Sequence, residues 1–123
     1  MIFKKYMTEA MLDEYLIEER KKFNEGVYGK EFSDIFKNAF PDNTNAVLLN
    51  VITEQAEDIY RVFFSQELIV DIEIPRNKSL QLPIIINYIE MQNYLENYRI
   101  RGIEKRYILK LIRNAKKEKT GKI

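Results

Sequence analysis

Apolar residues recur every three or four positions from Met11 to Phe23, a period that predicts a helix over residues 8–24. Met11, Leu12, Tyr15, Leu16 and Phe23 share one stripe, with Asp13, Glu14, Glu18, Arg20 and Lys21 opposite. Thr8 suits the N-cap, Glu9 the first turn, and Lys21 and Lys22 the last, where each charge complements the helix dipole. Gly26 to Gly29 break the chain. Phe32, Ile35, Phe36, Ala39 and Phe40 then repeat at i, i+3, i+4, i+7 and i+8, which predicts a second helix over 30–40 that Pro41-Asp42-Asn43 stops.

Between Asn45 and Ser65 two periods compete. Residues 46–53 are rich in β-branched side chains and read as a strand. Leu48, Val51, Ile52, Ala56, Ile59, Tyr60 and Phe63 also form a helical stripe, with Asn50, Glu54, Glu57, Asp58 and Arg61 opposite. A hairpin needs turn chemistry, and Glu54-Gln55-Ala56-Glu57-Asp58 offers no Gly, Pro or Asn. One long helix is expected, with a strand followed by a shorter helix as the alternative.

Leu68, Val70, Ile72 and Ile74 alternate with Ile69, Asp71 and Glu73 and predict a strand. Pro75-Arg76-Asn77-Lys78 reads as a turn, after which Leu80 and Leu82 would complete a small hairpin. Pro83 suits a helix start, and Ile84, Tyr88, Met91, Leu95 and Tyr98 share a face to about Arg99. Gly102 interrupts, and a final helix is expected from Ile103 to about Lys117, burying Tyr107, Ile108, Leu111, Ile112 and Ala115. The expected fold is an α-rich α+β domain: four or five helices with one small β-hairpin, a single compact domain over residues 1–123. Residues 118–123 are expected to form a flexible basic tail.

Composition removes whole classes of chemistry. The 123 residues include no cysteine and no histidine, so disulfides, thiolate catalysis, nitrogen or sulfur ligation of zinc, and imidazole-dependent triads are all excluded. No signal-like N-terminus is seen, and the longest aliphatic run after it, Ile84-Ile85-Ile86, is far too short to span a bilayer. A cytoplasmic protein without membrane contact is expected. The abundance of Ile, Lys, Asn, Tyr and Glu, with no Trp, fits an AT-rich coding sequence, a habit shared by phages and mobile elements.

Charge changes the picture most. Residues 99–123 hold ten basic and two acidic side chains, a net of +8 that the rest of the chain offsets to a total of +1. On the final helix Arg106, Lys110, Arg113 and Lys117 fall at i, i+4, i+7 and i+11, with Lys105 and Lys116 beside them. Arg99 and Arg101 extend this ridge, and Lys119 and Lys122 add a trailing anchor. Such a row can neutralise successive phosphates and release counterions. Tyr94, Tyr98 and Tyr107 lie near enough to stack on bases, although their helical spacing suits a core better. The expected function is a small non-enzymatic regulatory protein contacting nucleic acid or a nucleoprotein through Arg99, Arg101, Lys105, Arg106, Lys110, Arg113, Lys116 and Lys117. The alternative is a protein-only antagonist (a phage- or mobile-element-encoded inhibitor, antitoxin or immunity-type protein) that occupies a partner's surface. An acidic protein surface would also fit the ridge. So would a homodimer in which the basic helix of one copy meets the acidic body of another.

Other constellations are weaker. A helix-turn-helix around Gly102 would need a small residue and an apolar residue where Tyr98 and Lys105 stand, so a plain helical hairpin is expected. Asp71 and Glu73 share a strand face and could hold Mg²⁺, with Asp42 or Glu90 as a distant third ligand, but a solvated polar face explains the alternation equally well. Gly26-Val27-Tyr28-Gly29-Lys30 is too short for a phosphate-binding loop and is followed by Glu31, which would repel a nucleotide. No catalytic residue, metal or cofactor is expected.

Overall fold

Thr8 opens the first helix as its position suggests: its Oγ1 accepts a hydrogen bond from the Met11 N–H at 3.2 Å and caps α1 (Glu9–Asn24). Gly26 and Gly29, at φ of +73° and +108°, turn the chain in a conformation open to glycine and lead it into α2 (Lys30–Ala39). The computed structural model describes residues 7–43 and 45–120, without the side chains of 118–120.

Two expectations then fail, both in favour of strands. The stretch expected to be one long helix forms β1 (Val47–Thr53) and β2 (Glu57–Phe63), an antiparallel hairpin with Val47 opposite Phe63 and Thr53 opposite Asp58. Of residues 46–53, Val47–Thr53 are strand, and the alternative of a helix after them fails as well. The turn dispenses with glycine because its backbone finds partners elsewhere. Glu54 N–H donates to Glu57 O at 2.9 Å, and the Ala56 carbonyl accepts from Arg76 N–H at 3.1 Å.

The strand expected at 68–74 is present as β3 (Leu68–Pro75), but its hairpin partner is not the Leu80–Leu82 segment, which lies exposed around a 3₁₀ turn (Lys78–Leu80). The partner is β4 (Ile85–Glu90), cut from the middle of the helix expected over 83–98. Three consecutive isoleucines, each stiff at χ1, favour the extended chain here. Only α3 (Met91–Asn97) remains of that helix, and its start is fixed by Met91 N–H donating to Glu67 O at 2.8 Å. α4 (Gly102–Thr120) closes the fold and continues past the expected end at 117. Residues 121–123 of the expected tail lie outside the described residues.

Among the described residues the architecture is thus four helices around one four-stranded antiparallel sheet of order β1-β2-β3-β4, not an α-rich body with a single small hairpin. The middle of the sheet is buried on both faces. On one, Val47, Leu49, Phe63 and Ile69 pack with Leu12 and Leu16 of α1, Met91 and Tyr94 of α3, and Tyr107, Ile108 and Leu111 of α4. On the other, Leu48, Val62, Val70, Ile72 and Ile74 pack with Phe32 and Phe36 of α2 and with Phe23 from the end of α1. Burial on both faces explains why residues 46–49 and 62–64 show no clean alternation: neighbouring apolar residues serve opposite layers. No helix among the described residues is long and apolar enough to cross a membrane.

Candidate functional site

The basic segment begins at an elbow between α3 and α4. Tyr98 closes α3 by donating its N–H to Tyr94 O at 3.2 Å, Arg99 takes a left-handed φ of +51°, and Gly102 at +66° starts α4. The elbow is tied to the sheet by Arg61 of β2. Its guanidinium donates to both carboxylate oxygens of Asp71 on β3, at 2.9 and 2.8 Å, and lies over the rings of Tyr94 and Tyr98, 5.5 and 4.8 Å from their centroids. Burial, the largest influence, pushes the Tyr94 hydroxyl up to about 12. It therefore stays neutral beside this cation. Tyr98 is half exposed, with one ring face on Arg61 and its neighbour Tyr94 5.0 Å away, centroid to centroid.

Arg99, Arg101 and Lys105 stand exposed around this elbow and form no ion pair among the described residues. The middle of the expected ridge is different. Arg106 donates to the Met7 carbonyl at 3.0 Å and to Glu9 Oε1 at 2.9 Å; Lys110 reaches Glu9 Oε2 at 2.9 Å and Asp13 Oδ1 at 2.8 Å. Only 10% of the Lys110 side chain remains exposed. Arg113 is largely solvent-exposed and approaches Glu9 no closer than 4.0 Å. Lys116 and Lys117 are exposed farther along α4. The side chains of Lys119 and Lys122, the trailing anchor, lie outside the described residues.

The protein's own carboxylates thus interrupt the single outward ridge. Hydrogen bonds from Lys110 and Arg106 hold the Glu9 carboxyl down to about 2, and those to Asp13 and Glu9 raise the Lys110 ammonium. Sequence reasoning placed Glu9 only as a favourable charge for its helix end. The missed signal was spacing: Glu9 and Asp13 sit four residues apart on one helix, as Arg106 and Lys110 do on another.

The remaining constellations resolve into structural contacts. Asp71 and Glu73 do share a face, but Asp71 is taken by Arg61, and Glu73 accepts from Asn87 Nδ2 at 2.6 Å. Burial and the nearby Glu57 raise the Glu73 carboxyl. Among the described residues no group of three or more Asp or Glu could hold a metal ion. After the Gly26–Gly29 turn, Lys30 pairs with Asp34 at 3.0 Å and Glu31 with Lys78 at 2.7 Å. Tyr107, proposed as a stacking platform, is fully buried edge-on to Tyr15. Residues 85–90 are a strand, so of the helix expected before the Gly102 turn only the seven residues of α3 precede α4. No known protein family, curated protein or solved structure matches the chain.

Proposed function

We propose that the protein is a non-enzymatic regulatory protein that binds nucleic acid, alone or within a nucleoprotein, at the basic elbow rather than along the middle of α4. The observation that carries this reading is the exposure of Arg99, Arg101 and Lys105, without carboxylate partners among the described residues, beside the half-exposed ring of Tyr98. Three cations around a bend can meet phosphates from different directions, and an aromatic edge beside them offers a base a stacking surface. By sequence, residues 99–123 carry ten basic and two acidic side chains, a net of +8. Arg113, Lys116 and Lys117 would add contacts farther along the helix. Arg106 and Lys110 are already spent on α1.

Fluorescence anisotropy with short single strands and duplexes of DNA and RNA, at low and high salt, tests the reading. Binding should weaken steeply with salt and weaken further in the Arg101→Gln, Lys105→Gln variant. The competing reading, an antagonist whose same elbow docks on an acidic protein, requires no oligonucleotide binding at low salt and a stoichiometric protein complex that survives nuclease treatment.

A further inference from the structure

We propose that two copies of the chain join through β4, running antiparallel about a twofold axis at Asn87, so that their sheets become one continuous eight-stranded sheet. The proposal rests on the free edge of the sheet and does not depend on the basic elbow.

The two edges of the sheet are built differently. β1 has an irregular step between Leu48 and Asn50, the side chain of Asn50 takes the Val51 N–H at 2.9 Å, and α1 packs along the strand. Bulges and local capping of this kind blunt an edge against further pairing. β4 has none of these devices. It pairs with β3 in unbroken register from Ile85 opposite Glu73 to Glu90 opposite Leu68, and no strand among the described residues lies on its outer side. From Ser79 to Ile89 there is no charged side chain. Leu80, Leu82, Ile84, Ile85 and Tyr88 are all large, apolar and 44–61% exposed, an unusual density for one short segment.

Charge and symmetry favour a second copy over an unrelated partner. Antiparallel pairing across a twofold axis sets residue 87−k against residue 87+k. Ile85 then meets Ile89 of the second copy, and Ile86 meets Tyr88. Asn87 meets its own counterpart, and the one charged residue, Glu90, falls at the end opposite Ile84. Each of these partners lies on the same sheet face, as cross-strand neighbours must. On the α2 side the Ile86–Tyr88 contacts would extend an aromatic cluster that already reaches Tyr88 through Phe40, 6.4 Å away, centroid to centroid. No like charges oppose each other, so this dimer should be indifferent to salt, unlike one joining a basic helix to an acidic body.

The absence of cysteine makes the test clean. Residues facing each other across a two-fold antiparallel pair have Cα atoms about 4.5–5.5 Å apart, within reach of a disulfide. Full-length Asn87→Cys should convert to a disulfide-linked dimer under mild oxidation, whereas Val51→Cys on the β1 edge should stay largely monomeric. The wild-type chain should sediment as a dimer at low and high salt alike. The Ile85→Lys, Tyr88→Lys variant should sediment as a monomer with an unchanged far-UV circular dichroism spectrum. A wild-type chain that remains monomeric at high micromolar concentration would overturn the proposal. So would equal cross-linking of the two cysteine variants, or a dimer that salt dissociates.

Discussion

Arg106 and Lys110 lie one turn apart on α4, and Glu9 and Asp13 lie one turn apart on α1; the four side chains meet and tie the first helix to the last. A few residues earlier, Arg99, Arg101 and Lys105 carry the same positive charge and meet no carboxylate among the described residues. Local composition does not distinguish the two groups. What separates them is the neighbour that tertiary structure brings. A cation facing another helix is a fastener, and one standing at an elbow is available to a ligand. A basic run therefore becomes a contact surface only where the protein's own acids cannot reach it.

The largest effect should come from removing the anchor that holds the elbow in place. Arg61→Ala would leave the buried Asp71 without its partner and Tyr94 and Tyr98 without the cation over their rings. Breaking one side of such a pair costs about 3 kcal/mol, measurable as a lowered urea midpoint. Under the proposed function, nucleic-acid binding at the elbow should fall with it. Retained stability would mean that the elbow does not depend on the sheet for its position.

A smaller effect is expected at the fastener. Lys110→Ala should cost about 1 kcal/mol, since Glu9 and Asp13 are both over half exposed and recover water when released. The Glu9 carboxyl is held near 2, below its ordinary 4.5, so its contribution is complete above about pH 4.5 and disappears as pH falls through 2. The gap in urea midpoint between wild type and Lys110→Ala should therefore be constant at neutral pH and narrow below pH 4.5. A gap that widened with acid would reverse the assignment.

The helices at both ends were legible in the sequence because each presents one apolar stripe and good caps: Thr8 before α1, Gly26 and Gly29 before α2. β3 was legible because Asp71 and Glu73 interrupt its apolar residues on one face. β1 and β2 were obscured because Leu48 and Leu49 serve opposite layers, and because Arg76, twenty residues from Ala56, satisfies the turn between them. β4 was obscured because Ile84, Tyr88, Met91 and Leu95 fit a helical stripe although the chain changes from strand to helix at Met91. The cations of the site were all visible as a basic run. Which of them are held could not be read from one element, because Glu9 and Lys110 are 101 residues apart and their meeting is a property of the packed fold.

The smallest change in stability should accompany the largest change in binding. Arg101→Gln with Lys105→Gln removes two exposed side chains and should shift stability by no more than about 0.5 kcal/mol. The slope of log affinity against log salt for a single-stranded oligonucleotide tests the elbow most directly, compared between this variant and Arg106→Gln with Lys110→Gln. The elbow variant should lose about 1.4 of slope, roughly 0.7 for each of two phosphate contacts on a single strand, while the α4 pair leaves it unchanged. If the α4 pair lowers the slope and the elbow pair does not, the ligand reads the middle of α4 and the contact surface proposed at the elbow is wrong.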